Sequence, residues 1–170
     1  MEYLPKASTI FVFLLKFRIM YEILHGTHSG MRWIALLLLL IAIVNSAGSK
    51  NSGDYGKKDK LINLFAMISL HIQLLIGGAL MFLSPKVAYV EGWMSSETEG
   101  GMYRFYGLEH ILLMIVAIVI ITRGRSKAEK KLKGTRDKHK KITLTYTIGL
   151  ILILISIPWP FRTALLGSWM

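Results

Sequence analysis

The chain contains no cysteine. That excludes disulfides, thiolate metal sites, iron–sulfur clusters, cysteine nucleophiles and covalent c-type haem attachment. Charge is also scarce. Charged residues make up 18% of the 170 positions, against about a quarter in an ordinary soluble domain. Acidic residues are the scarcest of these, with 10 Asp and Glu against 21 Lys and Arg. The sequence has no P-loop, no HExxH and no serine-nucleophile elbow, so it offers no motif for phosphoryl transfer, zinc proteolysis or acyl transfer.

What it does have is hydrophobic. Apolar residues supply 53% of the chain and the mean hydropathy is +0.48. This composition excludes disorder, a collagen-like repeat and a small basic nucleic-acid module, and it points to a membrane protein. The net charge of +11 does not alter that reading, because ten of the 21 basic residues lie between Arg123 and Lys141. Basic residues beside long apolar runs signal membrane topology, so no nucleic-acid partner is expected.

Four apolar runs approach the roughly 20 residues that a helix needs to cross a bilayer. They are Gly26 to Ser46, Leu61 to Leu83, Phe105 to Thr122 and Ile142 to Ile157, the last stopped by Pro158 and Pro160. None alternates as a barrel strand does. The expected fold is all-α: a single four-helix transmembrane bundle over residues 20–170, antiparallel and up-down. Gly77, Gly78, Gly107 and Gly149 allow close helix packing. Residues 1–19 fit less well. Ile10 to Leu15 is too short to span, so the segment reads as an interfacial helix or as an extension ahead of Met20, and the extension is favoured.

Loop charge sets the orientation. Loop one (Ala47 to Lys60) carries Lys50, Lys57, Lys58 and Lys60, and loop three carries the ten basic residues. Loop two (Ser84 to Tyr103) has Lys86 against Glu91, Glu97 and Glu99. The positive-inside rule then places loops one and three in the cytoplasm, with loop two and both termini outside. Tyr89, Trp93, Tyr103, Tyr106, Trp159 and Trp169 would form an aromatic belt at the outer face.

Polar groups in hydrocarbon are costly and mark function by default. Glu22, His25, Ser29 and Arg32 share one face of helix one, and His28 borders it. His25, nearer the surface, reads as part of an interfacial collar. His71 lies about 16 Å from either end of its run, near the midplane. His110 shares a face with Tyr103, Gly107, Met114 and Ala117, while Glu109 points aside toward Arg104 or Arg32. His139, in a basic flank, is expected to be solvated or to touch headgroups. His110 and His28 fall about 5 Å and 12 Å outward of His71, so these three histidines are expected to form one site in the outer half. The competing expectation is that each bridges neighbouring helices by a hydrogen bond.

Imidazoles without thiolates suit haem iron, copper or zinc. Helices one and three are diagonal in an up-down bundle, which lets His28 and His110 face each other across its core. His71 with His110 is the alternative pair. Arg32 or Arg104 is placed to meet haem propionates.

Three strings carry a resemblance: His25-Gly-Thr-His28-Ser-Gly-Met-Arg32-Trp33, Ser69-Leu-His71-Ile-Gln73-Leu-Leu-Ile-Gly77 and Glu109-His110-Ile-Leu-Leu-Met114. With Arg123-Gly-Arg125-Ser-Lys127 and Ile157-Pro158-Trp159-Pro160, the chain from Met20 to Phe161 resembles the small four-span "cytochrome b-like" membrane proteins of Bacteroidota. The resemblance implies a bacterial inner-membrane protein and haem b. The function expected is electron transfer by a non-enzymatic carrier or subunit, with quinone or other respiratory or membrane-complex subunits as partners. A structural or assembly subunit, and a histidine-based transition-metal protein, are the alternatives.

Overall fold

The computed structural model describes residues 7–51, 54–95 and 99–167. Five α-helices account for most of it: α1 (Ala7–Gly48), α2 (Lys57–Leu83), the short α3 (Glu99–Arg104), α4 (His110–Lys130) and α5 (Thr135–Ser156). A single π-turn, Phe105–Glu109, joins α3 to α4, so the third span is one continuous rod. No strand occurs among the described residues. Four helices are long and apolar enough to cross a membrane. The fold is an all-α, multi-pass four-helix bundle.

The helices run past the apolar stretches. The chain enters α2 at Lys57 rather than Leu61, leaves α4 at Lys130 rather than Thr122, and enters α5 at Thr135 rather than Ile142. The apolar stretch measures hydrocarbon, not helix. A helix that stopped inside lipid would leave terminal carbonyls and amides unmet, and Lys, Arg, Glu and Ala all favour continuing it. α2 starts where Asp59 turns back to accept the Gly56 N–H at 3.0 Å. α5 stops at Ser156 because Ile157 precedes Pro158 and takes the extended backbone that proline imposes on its predecessor.

α1 packs against α2 and α5, and α4 against α5 and α2, so α1 and α4 are diagonal. Leu39, Ala42, Ala66, Ala117, Ile121, Ile142 and Tyr146 are completely buried between them. Gly124 and Gly149 make the α4–α5 contact possible: a Cβ on Gly124 would strike Thr145, and one on Gly149 would strike Ile121. The outward faces are apolar as well, with Leu37, Leu75, Phe82, Leu112 and Ile155 more than half exposed. Such surfaces are stable against acyl chains, not water.

α1 has 42 residues, which is about 63 Å of helix, some twice the bilayer core. It runs unbroken from Ala7 through the first span. From Ile10 to Met20 every residue is exposed, so this part of α1 lies beyond the bundle.

The end bearing loops one and three is closed by buried polar groups. Tyr55 Oη donates to Glu129 at 2.8 Å and accepts from Asn63 Nδ2 at 3.1 Å. Tyr146 Oη donates to the Asn63 carbonyl at 2.7 Å. Burial, then the bond to Glu129, holds the Tyr55 phenol above its ordinary pKa. His139 belongs to this network: it is fully buried, bonds the Asp54 carbonyl through Nε2 at 2.9 Å and packs edge-on to Tyr55 at 5.0 Å. The solvated position expected for it is therefore corrected. α5 begins at Thr135, which places His139 one turn inside the helix and against loop one.

Candidate cofactor site

At the opposite end, the π-turn leads directly into His110. The His110 amide bonds back to the Phe105 carbonyl, five residues earlier. Arg104 Nε and Glu109 Oε1, also five residues apart, meet at 2.7 Å and fix the wide turn. Turns of this kind recur at functional sites. They also settle the place of Arg104. It faces a shallow outer cleft with Glu109, Phe105 and Arg162, away from the bundle core. The expected propionate role for Arg104 is not what this placement favours.

His110 points inward. Its Nδ1 donates to the Ser156 carbonyl at 2.8 Å, since a carbonyl can only accept. This fixes the tautomer and leaves the Nε2 lone pair available, the arrangement found in metal-ligating histidines. Across the bundle, the His28 ring lies with its centroid 6.4 Å from that of His110, the planes 75° apart. Two metal–nitrogen bonds of about 2 Å, with ring radii of roughly 1 Å on each side, need about 6 Å between centroids. The two imidazoles thus have the separation of ligands on one metal.

The surroundings of His28 are shaped for it. A Cβ on Gly77 would lie 3.1 Å from His28 Cε1, so glycine leaves the ring its space. Gln73 Nε2 donates to the His28 carbonyl at 2.6 Å. His28 Nδ1 and Gln73 Oε1 are buried and lack a hydrogen-bond partner among the described residues. Buried polar atoms of this kind call for a partner.

Both histidines line one cavity of about 180 Å³. Its depth is walled by Leu36, Leu70, Leu74, Met114, Ile118 and Ile153, and Arg32 and Lys86 also line it. Among the described residues no Asp or Glu does. Arg32 lies over Trp33 at 5.1 Å, and Trp33 packs on Trp159 at 6.2 Å. In residue type this lining matches what haem b requires, with imidazoles for iron, apolar walls for a macrocycle and cations for propionates, in a cavity smaller than the whole group.

His71 is elsewhere. Its Nδ1 donates to the Met67 carbonyl at 2.8 Å, and its Nε2 lies 3.4 Å from Thr122 Oγ1 on α4. It does not line the cavity, and no group of three metal-ligating side chains occurs among the described residues. The three histidines expected to converge are therefore two. The reason is angular: His71 lies about 200° around α2 from Gln73, which faces His28. Lys86 and Ser156 are site residues that the sequence does not mark, whereas Gln73, a polar group in an apolar run, reads as a link between helices and bonds across to α1. The five-residue Arg104–Glu109 spacing was the one available sign of the π-turn. Tyr89, Trp93, Tyr106 and Trp159 do gather near this end, with Tyr89 and Trp93 5.0 Å apart, whereas Trp169 lies outside the described residues. No protein-family model, curated protein or solved structure matches the chain.

Proposed function

We propose that the protein is a membrane-embedded b-type haem protein that transfers electrons, with His28 and His110 as axial ligands and Arg32 facing the propionates. The observation that carries this reading is the opposed pair of imidazoles, 6.4 Å apart, inside an apolar cavity. When bound, haem iron supplies one-electron redox chemistry. The chain's own part is to hold two neutral imidazoles in place, through Ser156 and Gly77, and to keep water from the core with leucine, isoleucine and methionine.

A bare copper or zinc ion fits less well. Such ions take about four protein or water ligands, and no group of three ligating side chains occurs here among the described residues, whereas a porphyrin brings four nitrogens of its own. His71 supports the helix-bridging role instead, since both its nitrogens face groups of the bundle.

The charge asymmetry of the loops supports a bacterial inner-membrane protein with loops one and three in the cytoplasm. A quinone in the bilayer, or a subunit of a respiratory or other membrane complex, is the electron partner in this reading. The test is a reduced-minus-oxidised spectrum and a haem assay on protein purified from haem-replete cells. Sharp α and β bands of low-spin haem are expected, and a colourless, haem-free protein overturns the proposal.

A further inference from the structure

Lys86 is the lone basic residue of loop two, and it does not join the acidic residues around it. Among the described residues it forms no ion pair. Its side chain turns inward instead, lines the cavity mouth, lies over the Tyr106 ring at 5.3 Å and donates to the Leu166 carbonyl at 3.0 Å. Arg32 lines the same cavity from α1. Side chains lean toward the N-terminus of their helix, and α1 runs from this end, so Arg32 leans toward the mouth. Two cations, with no carboxylate among the described residues, set above an apolar depth, form a cavity with one polar pole and one sign of charge.

We infer that Lys86, with Arg32, forms an anion subsite at the cavity mouth that takes the carboxylate of an amphipathic ligand whose apolar body fills the depth. In the haem reading, on which the identity of that carboxylate rests, it is a propionate. Burial depresses the Lys86 ammonium, so the site holds a cation that water solvates incompletely and that gains from an anion. A carbonyl is the weaker partner of an ammonium. Lys86 therefore turns from Leu166 to the carboxylate when the ligand enters. The subsite defines the ligand class as acid over ester, a distinction that the imidazoles and the apolar wall do not make.

The test uses the full chain purified in detergent, titrated with haemin and with haemin dimethyl ester, which has the same iron and ring without free carboxylates. Wild type is expected to bind haemin at least tenfold more tightly than the ester. Lys86→Met, which keeps the stem against Tyr106, should lower haemin affinity several-fold and leave ester affinity unchanged. Lys86→Arg should restore the preference. Unchanged ester binding shows that the cavity is intact, and Lys86→Gln serves if the methionine variant does not fold. An acid-to-ester ratio equal to wild type in Lys86→Met, or in Lys86→Gln where it replaces it, overturns the inference, as does a preference that Lys86→Arg does not restore. If wild type binds neither haemin nor its ester, the haem reading falls, and oleate against methyl oleate decides the subsite separately. A preference for oleate that is lost with Lys86 supports it. Equal binding of the two lipids overturns it.

Discussion

His110 is suited to be a ligand because its other nitrogen is already occupied. The Ser156 carbonyl fixes the tautomer and the ring, so Nε2 is left as the base. His28 stands opposite, in space that Gly77 leaves. Replacing either by alanine should abolish the low-spin haem spectrum, while His71→Ala should retain it. Loss of the spectrum in His71→Ala alone would return His71 to the site. His139→Ala removes a fully buried imidazole and its bond to Asp54 and should cost about 1–3 kcal/mol of stability, read as a lower melting temperature with an unchanged spectrum. Tyr55 gives a pH signature. Its phenol ionises later in the folded chain than in the unfolded one. The stability it adds is complete below the unfolded pKa of about 10 and falls as pH rises past that value toward the folded one. Melting temperature should therefore drop less steeply at alkaline pH in Tyr55→Phe; parallel curves would contradict the assignment. Part of this was legible in the sequence. Diagonal helices pointed to His28 and His110. Depth along a run says nothing of angle around it, so His71 was grouped with them. The pairing of Glu109 with Arg104 is one of the two that the sequence offers, while the burial of His139 depends on where α5 begins, which composition does not mark.

Helices were readable where hydrophobicity speaks and not where it is silent. All four spans are visible in their apolar runs. Their polar extensions into loops one and three are not, because lysine-rich helix and lysine-rich loop have the same hydropathy. The π-turn alters hydrogen-bond spacing without altering residue type, so hydropathy does not show it and the five-residue Arg104–Glu109 spacing alone points to it. Close packing of α4 on α5 is the element-scale feature most open to challenge. Thr145 and Ile121 occupy the space that a Cβ would need at Gly124 and Gly149. Gly149→Ala should overpack this contact and cost about 1–3 kcal/mol, despite the better helix propensity of alanine. A melting temperature at or above wild type would show that α4 and α5 separate freely. The start of α1 is the converse case. Every residue from Ile10 to Met20 is exposed, so deleting residues 1–19 should leave expression, membrane insertion and any haem spectrum intact. Loss of folded protein on deletion would mean that the segment packs on the bundle after all.

For the molecule as a whole, the basic residues of loops one and three belong to one end of the bundle. Lys50, Lys57, Lys58 and Lys60 sit in loop one or at the start of α2, and the ten basic residues from Arg123 to Lys141 surround the α4–α5 connection. The bonds from Tyr55 to Glu129 and from His139 to Asp54 hold these two loops together, so their charges act at one end of the bundle. The His28–His110 cavity opens at the other end, where Lys86 and the C-terminal turn close its mouth. In the proposed orientation and function, this arrangement would have the cavity exchange ligand and electrons from the outer half of the bilayer. Truncation fusions read this directly. A reporter active only in the cytoplasm should work after Asp54 and fail after Ser95, and a phosphatase active only outside should do the reverse. The opposite pattern would invert the molecule, place the cavity mouth on the cytoplasmic face and require its redox partner to be reached from within the cell.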